Sequence, residues 1–286
     1  MQPHYADICE ATEHLINALS LNYDFVSSDG KHRLNVYSSA QSIDRNSYYG
    51  SHQDPNAYGI TNDLTFLAGA MANHHLDKFL FSKASITYGA EYSTNRLDDQ
   101  VKAYNIRTQQ NVSTIGMYVQ SEWTSRYLNL LIGARMDKHN LLSSPVLVPR
   151  LSLLYKYNDS WQVRASYSSG YRAPQAYDED FHITQVGGMS LRTKLADNLN
   201  AEYSNSFSLS SDHYAFLGEN WQANLLIEGF YTILNDVFAT RIIEQDTINN
   251  IIYQERYNAS GADVAGVSLS AKLAYKDLVT FSLGYT

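Results

Sequence analysis

Apolar and polar side chains alternate along most of this chain with a period of two. Between residues 161 and 168, Trp161, Val163, Ala165 and Tyr167 alternate with Gln162, Arg164, Ser166 and Ser168. Trp221, Ala223, Leu225 and Ile227 alternate with Gln222, Asn224 and Glu228. The same rhythm runs through Ile115, Met117, Val119 and Trp123, through Val267, Leu269, Ala271 and Leu273, and through Val279, Phe281, Leu283 and Tyr285. Side chains of a strand point to opposite faces in turn, so this pattern predicts strands with one dry and one wet face. Almost no sustained helical period is present.

Alternation alone fits a soluble sandwich as well as a membrane barrel, and strand length separates the two. Sandwich strands run to about 5–6 residues, transmembrane strands to about 9–11. Segments 127–137, 199–209 and 221–231 reach the longer figure. The pattern predicts twelve strands, near 13–26, 32–45, 60–74, 79–93, 112–124, 126–138, 147–157, 160–170, 198–211, 220–234, 255–275 and 278–286. Tight turns are expected at SSDGKH, HHLDK, TS, YNDS, DHYAFLGEN and KDL. Longer connections around 46–59, 94–111, 139–146, 171–197 and 235–254 fall between them. Short and long connections thus alternate, as they do when one end of a barrel carries turns and the other carries loops.

Composition supports the membrane reading. The chain has 286 residues with 23 Tyr against 10 Phe and 3 Trp, and only 5 Pro. Trp123, Tyr127, Tyr157, Trp161, Trp221, Tyr275 and Tyr285 stand at predicted strand ends, where an aromatic girdle belongs. A net charge of -8 argues against nucleic-acid binding. No apolar run is long enough for a transmembrane helix. The single cysteine, Cys9, excludes an internal disulfide and a thiolate metal cluster. The opening residues MQPHYADICEATEHL lack the basic and apolar regions of a signal peptide. Nucleophile-elbow, zincin and phosphate-loop motifs are missing, so no enzyme is expected.

The segment SYSSGYRAPQAYDEDFH, followed by LADNLNAEYSNSFSLS, resembles the barrel of TonB-dependent outer-membrane receptors. Tyr171, Arg172, Ala173 and Pro174 match the family's aromatic-Arg-Ala-Pro box. Asn198, Leu199 and Glu202 match a second box opening the next strand, although its prolines are absent here. LLIGARMDKHN, VPRLSLLYKYNDSWQVRASYSSGYRAP and NASGADVAGVSLSAKLAYK extend the similarity from about residue 84 to the end. The resemblance implies an all-β, antiparallel transmembrane β-barrel. About 12 strands of an expected 22 would lie in residues 1–286, without a plug domain. A smaller plug-less porin-like barrel is the alternative fold. A soluble β-sandwich or propeller binding carbohydrate is a third.

By the same resemblance, the chain implies part of an active-transport receptor in the outer membrane of a Gram-negative bacterium. Its cargo would be a ferric siderophore, haem or cobalamin, and energy would come from the TonB complex through the plug. Outer-membrane lipid is the other expected partner, and no cofactor is expected. Loop residues Tyr171, Arg172, Tyr177, Phe181, His182 and Arg192 are of types suited to stacking on a ligand and to binding anions. His182 lies in the interval where haem receptors of the family carry an iron-ligating histidine. Gln120, Glu122, Arg135, Gln162, Arg164, Glu202, Asn224, Glu228 and Lys272 are expected to face the lumen. The acidic runs Asp98-Asp99 and Asp178-Glu179-Asp180 read as solvated loop acids, and DNLN lacks the glycine and distal Glu of a calcium loop.

Overall fold

The computed structural model describes residues 2–55, 57–101, 106–175, 190–247 and 251–286. After a short 3-10 turn at Pro3–Tyr5, the chain forms β1 (Ile8–Val26), β2 (His32–Ser51), β3 (Tyr58–Phe79), β4 (Ser82–Val101), β5 (Ile106–Thr124), β6 (Leu128–His139), β7 (Val146–Asn158) and β8 (Trp161–Arg172). It continues with β9 (Ser190–Leu195), β10 (Glu202–Leu217), β11 (Trp221–Asn235), β12 (Phe238–Asp246), β13 (Ile251–Asn258), β14 (Ala262–Tyr275) and β15 (Val279–Tyr285). Twelve of these make one antiparallel sheet in the order β1-β2-β3-β4-β5-β6-β7-β8-β10-β11-β14-β15. Among the described residues β1 pairs only with β2 and β15 only with β14.

Eleven of the twelve expected strands are present with shifted ends, the twelfth is divided, and the expected loops 171–197 and 235–254 hold the strands β9 and β12. The segment 46–59 is not an extended loop: β2 and β3 continue pairing to Tyr48↔Tyr58. Likewise β4 and β5 pair out to Val101↔Ile106, through most of the expected connection 94–111. Polar residues there satisfy the same ladder above the apolar zone, so composition alone marked the boundary too early. The strand expected at 198–211 runs from Glu202 to Leu217, which absorbs most of the expected turn DHYAFLGEN. The single strand expected at 255–275 is two elements, because β13 ends at Asn258 and β14 begins at Ala262. β13 belongs to a separate three-stranded sheet, β12-β13-β9, in which β13 and β9 run parallel.

Turns 27–31, 80–81, 125–127, 159–160, 218–220 and 276–278 all lie at one end of the sheet, the turn end. In the first of them Gly30 adopts φ 70° and its amide donates to the Ser27 carbonyl at 2.9 Å. That left-handed conformation costs a glycine nothing. At the far end β2 leads to β3, β4 to β5 and β6 to β7, and the two long connections lead from β8 to β10 and from β11 to β14.

Register fixes the two faces. The row Trp161↔His213↔Leu225↔Ala271↔Leu283 runs on one face, and Val163↔Ser211↔Ile227↔Leu269 lies beside it. Arg164↔Ser210↔Glu228↔Ser268 runs on the other. A slip of one residue would exchange them. The apolar face is open: Leu19 is 65 %, Phe281 61 % and Leu283 66 % exposed. Buried hydrophobic residues are few, and Tyr48, Tyr49, Ala57 and Leu97 among them gather toward the far end. A single sheet with its large apolar side chains on an uncovered face has no sandwich core. It needs an apolar medium.

Aromatic pairs collect at the turn end of that face. Trp123 stacks on Phe81 at 5.4 Å, Trp161 meets Tyr157 at 5.0 Å, and Trp221 meets Tyr275 at 4.9 Å. Tyr285 is the exception to the expected girdle. It pairs with Leu269, partway up the sheet.

Candidate functional site

All nine residues expected to face a lumen share the polar face. Gln120, Gly133, Arg150 and Ser168 form one row across β5 to β8, and Glu122 and Arg135 lie on its face. Gln162 and Arg164 in β8, Asn224 and Glu228 in β11 and Lys272 in β14 continue it, and Glu202, the first residue of β10, pairs with Arg172 at the far margin.

Arg135 organises the centre of this face. Its Nε donates to Asp137 Oδ1 at 2.7 Å and its Nη2 reaches Glu91 Oε1 at 3.3 Å. The Tyr37 hydroxyl donates to the other Glu91 oxygen at 2.7 Å. The guanidinium can lie flat because Gly116 sits beneath it: a Cβ there would be 2.3 Å from both Arg135 Nη2 and Asp137 Oδ1. The network borders a cleft of about 760 Å³ whose wall includes Tyr118, Gln120, Arg150, Ser152 and Arg164. Such a surface presents fixed cationic and hydroxyl donors to an anionic or hydroxyl-rich occupant.

Toward the far end a second polar cluster is buried. Arg45 Nε donates to Thr61 Oγ1 at 3.0 Å, its Nη2 meets Asp99 Oδ1 at 3.4 Å, and the Thr61 hydroxyl donates to Asp99. One row of the sheet, Arg45↔Thr61↔Asp99, delivers all three. Burial pushes the Asp99 carboxyl above its ordinary value, while Thr61 and Arg45 pull it back. Next along the chain, Asp98 is held below the ordinary value by its hydrogen bond from Arg107. The pair read as solvated loop acids therefore splits, with Asp99 2 % exposed and fixed within the sheet.

The two boxes of the sequence meet at the far end. Arg172, last residue of β8, pairs with Glu202, first of β10. Glu202 Oε2 accepts the Phe238 amide at 2.9 Å, and the Arg172 guanidinium lies 5.6 Å from the Phe238 ring centre. Arg256 lies 5.8 Å from the same ring and donates to the Gln175 carbonyl at 2.6 Å. Asn258 adds a clasp: its Oδ1 accepts the Asn200 amide at 2.7 Å and its Nδ2 donates to the Asp236 carbonyl at 2.6 Å. Tyr171 is half-buried. Its hydroxyl hydrogen-bonds Asp137. The first box thereby joins the Arg135 network to the small sheet.

That small sheet carries cations beside tyrosines. Lys194 Nζ lies 4.5 Å from the Tyr253 ring centre, and Arg241 lies 4.7 Å from Tyr257 while pairing with Glu255. Arg192 is in β9, in register with Tyr253. Tyr177, Phe181 and His182 lie outside the described residues. The sequence did not single out Arg45, Thr61, Phe238 or Arg256, and it marked Asn258 only as the start of a matching segment. Each acts through partners distant in the chain, and no local pattern marks those partners.

A twelve-stranded antiparallel wall with a polar face and an uncovered apolar face is part of a transmembrane β-barrel. The family model described as TonB dependent receptor-like, β-barrel, matches residues 10–286, and the chain belongs to this family. No curated protein matches the sequence. Among solved structures, the siderophore receptor PirA from Pseudomonas aeruginosa is similar with a TM-score of 0.72 at 17 % identity, covering 97 % of this chain and 51 % of that one. A G324V mutant of the ferric enterobactin receptor PfeA from the same organism gives 0.73 at 16 % identity, covering 96 % and 43 %. The hemophore receptor HasR from Serratia marcescens, a double mutant in complex with its hemophore HasA and heme, gives 0.70 at 12 %, covering 97 % and 49 %. The chain thus spans about half the length of these structures.

Proposed function

We propose that this chain is a wall of an outer-membrane receptor that takes up a ferric siderophore in a Gram-negative bacterium. Lipid would cover the apolar face. The polar face would line the lumen, around a plug domain that couples transport to the TonB complex. The observation that carries this reading is the division of one twelve-stranded sheet into two faces, with Arg135, Arg150 and Arg164 bordering the same cleft on the polar side. Ferric siderophores present anionic or hydroxyl-rich surfaces, which arginines and tyrosines recognise by charge and stacking. The siderophore receptor PirA and the ferric enterobactin receptor PfeA share the fold and support this choice of cargo. The small sheet above the wall, with Lys194, Arg241, Tyr253 and Tyr257, would make the first contact.

The test uses the full receptor in iron-starved cells, with growth compared on ferric siderophores and on haemin. Growth on a ferric siderophore that requires both the receptor and TonB is expected. Haemin growth lost on His182→Ala would replace the siderophore with haem. Growth independent of iron source would move the cargo to cobalamin or another nutrient.

A further inference from the structure

At the turn end, two histidines face each other across β2 and β3. His32 and His74 are register partners, their rings are 4.9 Å apart at 62°, and their Nδ1 atoms are 2.7 Å apart. His74 uses its second nitrogen as well: Nε2 lies 3.1 Å from the Tyr88 hydroxyl. His32 is the first residue of its strand, directly after the turn 27–31, and is exposed. The pair lies on the apolar face but at its turn end, level with the Lys31–Asp77 ion pair that must meet water. Neither the polar-face network nor the far-end sheet involves it.

We propose that His32 and His74 form a two-nitrogen binding site for a borderline divalent cation such as Cu²⁺, Zn²⁺ or Ni²⁺, with Tyr88 as its outer partner. At 2.7 Å one Nδ1–H donates to the other ring's Nδ1, and a cation lodged between the two nitrogens would displace that proton to solvent or to the same ring's Nε2. At bond lengths of about 2.0–2.1 Å, two nitrogens bound at a right or tetrahedral angle lie about 2.8–3.4 Å apart. The observed separation needs to open by only a few tenths of an ångström, and the surface position of His32 permits that.

Tyr88 supplies the oxygen partner that such a site needs on its outer side. Metal-ligating histidines generally donate their remaining N–H to an oxygen, which fixes the tautomer and the ring. With a cation on Nδ1, neutral His74 carries its one proton on Nε2 and donates it to the Tyr88 hydroxyl. Imidazole ligands suit copper, zinc and nickel. Among the described residues no third His, Cys, Asp or Glu completes a cluster. Water therefore fills the remaining positions, and the bound ion ties the ends of β2 and β3 together beside the Lys31–Asp77 ion pair.

The experiment titrates the full chain in detergent micelles with Cu²⁺, following nitrogen coupling by electron paramagnetic resonance, and with Zn²⁺ by calorimetry. One saturable site with two imidazole nitrogens is expected. His32→Ala and His74→Ala should each remove it. Tyr88→Phe should weaken it by about 10–100-fold. His75→Ala, next in sequence but on the opposite face, should leave it intact. Circular dichroism reports whether each variant keeps its β structure, and His32→Gln and His74→Asn serve if an alanine variant does not. Unchanged affinity in either folded histidine variant, or loss of the site in His75→Ala, would overturn the proposal.

Discussion

Arg172 and Arg256, 84 positions apart in the chain by their numbers, converge on one ring, with their guanidinium carbons 5.6 and 5.8 Å from the centre of Phe238. One arginine ends a strand of the wall and the other lies in the small sheet. Phe238 is thus the hinge pin between them, and Glu202 holds its backbone amide.

Phe238→Ala should release the small sheet without dismantling the wall. Cation–π contacts contribute about 0.5–1 kcal/mol each at exposed sites, so the two together stabilise the junction by about 1–2 kcal/mol. Hydrogen exchange should accelerate across Phe238–Asp246 and Ile251–Asn258 and stay unchanged in β5 to β7. Uniform acceleration through the wall would show that the ring is part of the main fold instead.

The buried Arg45–Asp99 pair should behave asymmetrically under mutation. Removing one partner leaves an uncompensated buried charge, which costs about 3–5 kcal/mol. Arg45→Met and Asp99→Leu should each destabilise strongly, while the double variant recovers most of the loss. A double-mutant cycle in denaturant checks this, and strictly additive losses would remove the coupling.

Asp98 and Asp99 should titrate in opposite directions from the ordinary carboxylate value of 3.8. Asp99 has a raised folded value, so its contribution to stability is complete below 3.8 and is lost as pH rises through that raised value. Asp98 has a lowered folded value, so its contribution is present above 3.8 and is lost as pH falls through the lowered one. Carboxyl chemical shifts measured against pH should show Asp99 ionising later. Arg107→Ala should raise the Asp98 midpoint and leave Asp99 in place.

A charge should be tolerated on one face and not on the other. Ile227→Lys would put an ammonium on the apolar face at a cost of about 2–4 kcal/mol if it sits at mid-membrane. Lysine in place of Ser210, on the polar face, should change folding yield little. Equal losses at the two positions would contradict the assignment of faces.

Gly116→Val should disturb the centre of the polar face. The added Cβ would fall 2.3 Å from Arg135 Nη2, forcing the guanidinium off the wall. Overpacking of this kind costs about 1–3 kcal/mol. Heat unfolding in micelles should reveal the loss, and Arg135→Ala in the same background should relieve only part of it, because Asp137 Oδ1 would lie equally close to the added Cβ.

Period-two alternation by itself determined most strands of the wall and the face their residues take, because side-chain direction in a strand follows from position alone, but not the three strands of the small sheet. Trp161 and Val163 were separated from Gln162 and Arg164 before any fold was known, and the register keeps them apart. Turns such as 27–31 were legible from Gly30 for the same local reason. Strand ends were not. β2 and β3 pair beyond the apolar zone because each finds a partner backbone there, and no residue's own chemistry announces that. The candidate site was legible only in part. Arg172 and Glu202 stood out in their boxes, but Phe238 and Arg256 acquire their roles when two connections, 173–201 and 236–261, fold together through β9 and β13. Asp99 looked like a solvated acid beside Asp98 until the row Arg45↔Thr61↔Asp99 buried it. Local pattern decides which way a side chain points. Only the pairing of distant strands decides what it meets.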